Sequence, residues 1–347
     1  MTTRRHFMSR MLWLGGAMLL APSRLLAAVA EPNWEPAYAT LERRGLLAAR
    51  VAKAYQILEA CQLCPRQCGV NRLKGQQGYC RAPSQVMLYS AMPHFGEEHP
   101  LVGRRGSGTI FFSNCNLRCV FCQNWPIAHE GRGREMSHEK LADTMLDLQR
   151  LGCHNINLVT PTHVMPHILK ALRLALDKGL RLPLVYNTSG YESLEIVKLL
   201  DGIVDIYLPD LKFMDPEQAD TYSPGAVDYP QVAQAAIIEM NRQVGVLRLD
   251  NAGVARRGVA LRHLVMPNRV AGTKAFVEWV ADNLPRDTYV NIMAQYRVEY
   301  RAFEYPLIAR AITSEEFLEA MQWAEDAGLT NLDQRSLANR DFHRRRR

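Results

Sequence analysis

The sequence predicts an α/β protein whose core is a partial (β/α)6 TIM-like barrel of parallel strands, with a cysteine-rich extension on its N-terminal side. Two observations support this prediction. From about residue 108 onward, short apolar runs alternate with amphipathic segments, and strands that alternate with helices form parallel sheets. Six such units occur along the chain, whereas a closed barrel of this type needs eight.

The predicted elements follow from local patterns. The six apolar runs predict strands at 108–113, 155–160, 183–187, 204–208, 259–265 and 289–293. Amphipathic periodicity predicts helices near 138–151, 164–179, 191–200, 229–243 and 271–284. One helix is predicted over 36–60, and a last helix is predicted to begin at Thr313, which forms a capping-box pattern with Glu316. Residues 343–347 are predicted to be a solvated tail.

The composition is that of a globular protein. The chain has 347 residues, of which 48% are hydrophobic and 22% charged, and this excludes a disordered or collagen-like protein. The formal net charge is +7, but the excess of arginine lies in the two ends, 1–30 and 340–347. Because the remainder is close to neutral, we expect no nucleic-acid partner.

Residues 1–30 are predicted to be a signal peptide. An arginine pair followed by Phe7 precedes an apolar stretch at 11–20, and small residues at 28–30 form a cleavage pattern. The arginine pair resembles a twin-arginine signal, whose export machinery carries folded proteins. We therefore expect the protein to be cytoplasmic before export and then periplasmic or membrane-tethered. The alternative is a basic amphipathic N-terminus that is retained.

A loop with three cysteines follows the first predicted strand. Cys115, Cys119 and Cys122 lie within eight residues, at the strand end where α/β barrels carry their chemistry. Three thiolates can bind three irons of a four-iron cluster and leave the fourth iron open, unlike a closed set of four. The alternatives are disulfides and an electron-transfer cluster with Cys153 as the fourth ligand. Cys153 precedes the second strand, so we expect it to be a buried structural cysteine.

A second set of cysteines lies in the N-terminal extension, at positions Cys61, Cys64, Cys68 and Cys80. Four thiolates are enough to close a tetrahedral zinc site or a second iron–sulfur cluster. A closed set leaves no open coordination position, so its role would be structural or electron relay. Two disulfides are the alternative, because an exported protein meets an oxidising compartment.

The CxxxCxxC spacing resembles that of radical S-adenosylmethionine (SAM) enzymes, and the resemblance extends over roughly 38–330. Further segments resemble an uncharacterised branch of that superfamily related to pyruvate formate-lyase activating enzymes; they lie at 61–72, 78–80, 106–112, 155–163, 207–212, 262–268 and 291–296. The resemblance implies a (β/α)6 barrel that binds one 4Fe-4S cluster and SAM. It also implies reductive cleavage of SAM to a 5′-deoxyadenosyl radical, which abstracts hydrogen from an unknown substrate; a glycyl-radical-type protein is one candidate.

The same resemblance implies residues that bind SAM. Asp210 and Lys212 match an Asp-x-Lys pattern that contacts SAM in the activating enzymes. Lys212 would pair with the SAM carboxylate, and its alternative is a local pair with Asp210. Arg262 would also reach the carboxylate, or else pair with a neighbouring acid. Phe121 resembles a residue that packs near the adenine, and filling the core is its alternative.

Two further candidate residues follow the third predicted strand. In addition, the segment after the second predicted strand departs from the family pattern. Asn187 and Ser189 could hydrogen-bond to the ribose hydroxyls, although turn chemistry explains them equally well. Many radical SAM enzymes carry Gly-Gly-Glu after the second strand to hold the SAM amino group, whereas this chain has Thr-Pro-Thr-His at 160–163. We expect His163 to be a helix-start residue, with a hydrogen-bonding role in the pocket as the alternative.

The predicted organisation has four parts: a signal peptide at 1–30, the cysteine-rich extension at 31–105, the barrel at 106–300 and a helical segment with a basic tail at 301–347. The implied partners are a reductant such as a flavodoxin or ferredoxin and a protein substrate. The alternative function is that of a non-enzymatic exported iron–sulfur protein that transfers electrons. SAM and the reductant are cytoplasmic. An exported enzyme would therefore act before export or stay tethered to the membrane, or the exported form would have a different function.

Overall fold

The computed structural model of the chain describes residues 34–345. The predicted signal peptide at 1–30 lies outside the described residues, as do the last two residues of the predicted tail. Within the described range, strands β1 to β9 are Val86–His94, Ser107–Phe112, Arg134–Met136, Ile156–Val159, Leu184–Thr188, Ile206–Pro209, Arg248–Leu249, Ala255–Leu264 and Tyr289–Met293. Helices α1 to α12 are Ala37–Arg43, Leu47–Gln56, His99–Val102, Trp125–Ala128, His138–Arg150, Met165–Asp177, Leu194–Leu199, Pro216–Tyr222, Tyr229–Val244, Thr273–Asn283, Ser314–Asp326 and Gln334–Arg344.

The centre of the sheet consists of six parallel strands in the order β2, β4, β5, β6, β8 and β9. These are the six predicted strands, and the α/β class is confirmed. Every residue of β5, β6 and β9 is buried, as expected for parallel strands that are covered on both faces. The sheet does not close on itself: β1 and β3 extend it beyond β2 as antiparallel strands, and β7 pairs antiparallel with β8.

The N-terminal helix begins on a buried carboxylate of the barrel. The Ala37 backbone N–H donates to Asp205 Oδ1 at 2.8 Å, and the Leu184 N–H donates to Asp205 Oδ2 at 2.9 Å. Burial raises the pKa of Asp205 to about 7, and the two backbone N–H groups oppose this rise. The extension is therefore attached to the amino-terminal ends of β5 and β6.

Two predicted elements are wrong in their bounds. The helix predicted over 36–60 is divided at Gly45, whose φ of 69° ends α1. The Leu46 N–H bonds back to the Leu41 carbonyl at 3.2 Å, which is the contact that closes a helix at a left-handed glycine. The predicted tail is also wrong at its start, because α12 continues to Arg344 and the His343 ring packs on Phe317.

Other features of the helices agree with the sequence. The capping box of α11 is confirmed: Thr313 Oγ1 accepts from the Glu316 N–H at 3.2 Å, and Glu316 Oε2 accepts from the Thr313 N–H at 2.8 Å. In the part of the chain that the structure describes, no helix is both long and apolar enough to cross a membrane.

Gly258 allows β8 to lie close to the preceding chain. Its φ is 126°, and a Cβ placed there would be 2.4 Å from both Leu247 Cα and Val246 O. Both contacts are to backbone atoms, so a side chain could not be accommodated by rotation. This position requires glycine because β8 would otherwise be displaced from β6.

We expect Gly258→Ala to lower the free energy of unfolding by more than about 3 kcal/mol, because the methyl group would overlap backbone atoms. The matched control is Gly253→Ala, since Gly253 also has a positive φ of 76° but nothing lies within 4 Å of its Cβ position. Only the left-handed conformation is penalised there, at about 1–2 kcal/mol. Urea unfolding followed by circular dichroism measures both, and equal losses would contradict the steric argument.

Candidate active site at the carboxyl ends of the strands

A cavity of about 240 Å³ lies where the parallel strands end. Its wall is formed by the loops that follow β2, β4, β5 and β6 and by the ends of β8 and β9. The structure places nine predicted site residues on this one wall: Cys115, Cys119, Phe121, Cys122, Asn187, Ser189, Asp210, Lys212 and Arg262. These residues come from four separate segments of the chain, which meet at one cavity, as the barrel prediction requires.

The three-cysteine loop is held in a fixed shape. Asn114 and Arg118 adopt left-handed conformations, with φ of 77° and 54°, which are unfavourable for residues other than glycine and are found at functional sites. The Val120 N–H donates to the Tyr222 carbonyl and the Val120 carbonyl accepts from the Arg301 N–H, both at 2.9 Å. Distant segments thus support the loop from both sides.

The loop thiols are free and receive hydrogen bonds. Ser223 Oγ donates to Cys119 Sγ at 3.2 Å, and the Leu117 N–H donates to Cys115 Sγ at 3.4 Å. Burial raises the pKa of Cys119 to about 11 and raises that of Cys122 as well. Deprotonation of these thiols therefore needs a compensating cation, which a bound metal supplies.

The donor set fits a 4Fe-4S cluster with one open iron. Three thiols share the cavity, and among the described residues no fourth cysteine lines it. In the same range, no three His, Cys, Asp or Glu side chains are arranged around a single metal ion. A cluster differs from a single ion in that each thiolate binds its own iron.

Cys153 lies at the other end of the barrel and is buried. A Cβ on Gly108, near the start of β2, would lie 3.1 Å from the Cys153 Cβ. Cys153 does not line the cavity, so the prediction of a buried cysteine away from the loop is confirmed.

One wall of the cavity carries a charged network. Arg262 donates from Nε to Asp210 Oδ1 at 2.7 Å and from an Nη atom to Asn187 Oδ1 at 2.6 Å, while Lys212 Nζ donates to Asp210 Oδ2 at 2.5 Å. Burial alone would raise the pKa of Asp210, but the two cations hold it below its ordinary value. The local Asp–Lys pair is thus present, and it uses one of the three donors that an ammonium group has.

The remaining predicted contacts also line the cavity. Ser189 Oγ is buried and has no hydrogen-bond partner in the described residues, so it is available to a ligand hydroxyl. Asn187 already accepts from the guanidinium group through its side-chain oxygen. Phe121 lines the cavity and also packs edge-on against Phe213, with 5.9 Å between ring centroids. Its two predicted roles are therefore compatible.

A buried carboxyl beside the cavity escaped the sequence analysis. Glu192 is fully buried, and it accepts hydrogen bonds from Thr162 Oγ1 at 2.5 Å, from Thr188 Oγ1 and from Tyr186 Oη at 3.3 Å. Burial raises its pKa to about 7, and the three hydroxyls oppose this rise. Thr162 belongs to the segment 160–163 that replaces Gly-Gly-Glu. A glutamate shortly before a helix looks like an ordinary first-turn acid, so no sequence pattern reveals its burial.

His163 lies in a short 3-10 turn at 162–164, in agreement with its predicted place at a helix start. It is almost fully buried, and its Nε2 N–H donates to the Ser113 carbonyl at 2.7 Å. Burial lowers the pKa of His163 to about 4, and the nearby Arg72 guanidinium adds to this effect. The imidazole is neutral at physiological pH.

The four cysteines of the extension line a second, smaller cavity together with Arg72 and His163; they are Cys61, Cys64, Cys68 and Cys80. All four are free thiols, so the structure does not contain the disulfides considered as an alternative. Burial raises the pKa of Cys64 to about 12, and the neighbouring thiols Cys80 and Cys61 contribute to the rise. The sequence pattern thus brings four thiols to one place.

Comparisons with known proteins agree with this geometry. The family model described as the radical SAM superfamily matches residues 109–246, which include the three-cysteine loop and the Asp210–Lys212 segment. The chain belongs to the radical SAM superfamily. Membership implies a 4Fe-4S cluster and SAM as cofactors. The branch related to pyruvate formate-lyase activating enzymes stays a prediction.

This radical SAM protein has relatives in Methanocaldococcus jannaschii. The uncharacterized protein MJ0674 is 33% identical over 295 residues, covering 82% of this chain and 80% of the relative. The uncharacterized protein MJ0808 is 23% identical over 274 residues, covering 71% and 73%. Two solved structures are also similar at 12% identity. HydG, a maturase of the [FeFe]-hydrogenase, has a TM-score of 0.43 and covers 85% of this chain and 57% of its own; methylornithine synthase (PylB) has a TM-score of 0.37 and covers 83% and 81%.

We expect Glu192→Gln to change how stability depends on pH. Because the pKa of Glu192 is about 7 in the folded chain against an ordinary value of 4.5, its ionisation lowers the free energy of unfolding as pH rises between these values, by up to about 3 kcal/mol. Glutamine removes this fall, so the variant should gain stability relative to the wild type from pH 4.5 to 7.5.

Urea unfolding under nitrogen across that pH range measures the difference. Asp205 titrates in the same direction but is present in both proteins, so it cancels. The control is Glu195→Gln on the exposed face of α7, which should follow the wild-type curve. Parallel curves for the wild type and Glu192→Gln would show that the carboxyl stays ionised when buried.

Proposed function

We propose that the protein cleaves SAM at this cavity and uses the product radical on a protein or other macromolecular substrate. The observation that carries the proposal is the placement of the three-cysteine loop opposite the Asp210–Lys212–Arg262 network in one cavity. When bound, the cluster and SAM would supply an electron and a 5′-deoxyadenosyl radical that abstracts hydrogen from the substrate.

The side chains of the cavity would hold the cofactors as follows. Cys115, Cys119 and Cys122 would bind three irons. Lys212 and Arg262 would receive the SAM carboxylate, because both retain N–H donors beside the Asp210 carboxylate. Ser189 would donate to or accept from a ribose hydroxyl, and Phe121 would contact the adenine. The buried wall would keep water away from a reactive species.

Exposed apolar residues in one segment support a macromolecular substrate. Val298, Phe303 and Leu307 are exposed, and Arg301 of the same segment donates its backbone N–H to Val120 of the three-cysteine loop. Exposed apolar side chains are common contacts with another protein. A glycyl-radical-type protein fits this description, and a flavodoxin or ferredoxin is proposed as the reductant.

Two further parts of the proposal rest on the sequence. The four cysteines of the extension are proposed to bind a second metal, zinc or an iron–sulfur cluster, and their common cavity supports this. Export by the twin-arginine route is proposed from the N-terminal pattern alone.

The central test is reductive cleavage of SAM. After anaerobic reconstitution with iron and sulfide, we expect dithionite and SAM to give 5′-deoxyadenosine, measured by liquid chromatography. Cys119→Ala should give none, because two thiolates do not hold the cluster with its open iron. Cys153→Ala, a matched change of a buried thiol away from the cavity, should retain the activity. A fully loaded cluster whose electron paramagnetic resonance spectrum does not change when SAM is added would contradict the proposal.

A second test addresses the carboxylate site. We expect Lys212→Met to raise the dissociation constant of SAM by about 10- to 100-fold, because a charge-assisted hydrogen bond contributes about 1.5–3 kcal/mol. Methionine keeps most of the side-chain volume, so the packing changes little. Equilibrium dialysis on cluster-loaded protein measures the constant. The control is Lys274→Met on the exposed face of α10, and an unchanged constant in Lys212→Met would assign Lys212 to the local pair alone.

A further inference from the structure

The cysteine-rich segment is bonded to the catalytic loop at each residue that flanks Cys115. Arg66 Nε donates to the Asn116 carbonyl at 3.1 Å, and Asn114 Nδ2 donates to the Arg81 carbonyl at 3.3 Å. On the other side, His163 Nε2 donates to the Ser113 carbonyl at 2.7 Å. The first thiol of the SAM-cluster loop is therefore fixed by contacts with the neighbourhood of the four-cysteine cavity.

His163 connects this cavity with the barrel. Its backbone carbonyl accepts from the guanidinium of Arg72, which is buried and lines the same cavity. Since the Nε2 N–H is donated to Ser113, Nδ1 carries a lone pair, and this atom is buried without a partner in the described residues. Buried acceptors without partners are rare, and a histidine that binds metal usually donates its other N–H to a carbonyl in this way.

The four cysteines beside His163 are free thiols. Cys61, Cys64 and Cys80 are each only 8% exposed, and no disulfide joins them. The Tyr79 N–H donates to Cys68 Sγ at 3.3 Å, a bond that suits a thiolate. With the His163 lone pair, the cavity wall offers five donors. Because no three of the described His, Cys, Asp or Glu side chains surround a single ion, this set suits an iron–sulfur cluster, in which each thiolate binds its own iron.

We infer that the four-cysteine cavity is a second metal centre whose role is to position the SAM-cluster loop, with His163 as its contact on the barrel. The metal would fix residues 61–80, and Arg66 and His163 would transmit this order to the residues on either side of Cys115. None of the residues that line this cavity lines the SAM cavity. The metal centre itself is thus independent of SAM chemistry, whereas the positioning role rests on the proposed function.

The geometry gives the centre its structural role. Four thiolates leave no iron of a cluster open to a substrate, in contrast to the three-cysteine loop. Arg66 is held between two aromatic rings, with its guanidinium 3.8 Å from the Tyr79 centroid and 5.3 Å from that of Tyr191. A rigid arginine of this kind transmits position, because its contact with Asn116 cannot shift without breaking the stack.

The first experiment isolates the second metal. In the variant with Cys115, Cys119 and Cys122 all changed to alanine, the SAM cluster cannot form. Anaerobically purified protein of this variant should still contain metal, measured as zinc, iron and acid-labile sulfide. Adding Cys64→Ser should remove it, while adding Cys153→Ser should not. Zinc alone indicates a zinc site and iron with sulfide indicates a cluster, and both support the inference. A folded triple variant without metal overturns it, whatever the outcome of the SAM-cleavage test.

The second experiment tests positioning. Arg66→Met leaves all thiols in place, so the second metal should be retained. The SAM-cluster loop should nevertheless lose iron to a chelator about 10-fold faster or more, the size of effect seen when partners beyond the metal ligands are removed. Arg50→Met, an arginine whose bonds go to the carbonyls at the end of α7, is the control. Wild-type iron release in Arg66→Met, together with wild-type release in Cys64→Ser after loss of the second metal, would overturn the positioning role.

Discussion

The parallel alignment of β2, β4, β5, β6 and β8 is the constraint on which the site depends. Parallel strands point their carboxyl ends to the same edge, so the segments after them meet even though they are far apart in sequence. The three-cysteine loop and the cationic wall are far apart in sequence, and the parallel strands bring them together. The strands at the centre of the sheet are buried along their whole length, which fixes the positions of the loops at their ends.

The charged wall shows how three charged side chains can be kept together with little exposure to water. Arg262, Lys212 and Asp210 are removed from water, and isolated charges there would be unfavourable. The carboxylate shared between two cations reduces this cost and keeps both cations charged. The two cations can then bind another partner without a change in the charge of Arg262, Lys212 or Asp210.

Much of this arrangement could be predicted from the sequence, because periodicity and short cysteine spacings are local properties. The six strands and the position of the cysteine loop belong to this class. The antiparallel strands β3 and β7 escaped prediction because they have only three and two residues. Strand β1 begins with an apolar run, but most of its residues are not buried and it lies before the alternation of strands and helices. The break at Gly45 was missed because an apolar stripe continues on both sides of it. Glu192 and the bond from Arg66 to Asn116 depend on tertiary contacts that no local pattern records.

The eight free thiols make the protein sensitive to oxidation before metal is bound. Seven of them lie in two groups of neighbours, and sulfurs in such groups join readily once an oxidant is present. Under the proposed function, metal has to be inserted before these thiols meet an oxidant, because a disulfide removes the thiolates that would bind it. Crosslinking of the extension would also disturb the bond from Arg66 to the three-cysteine loop.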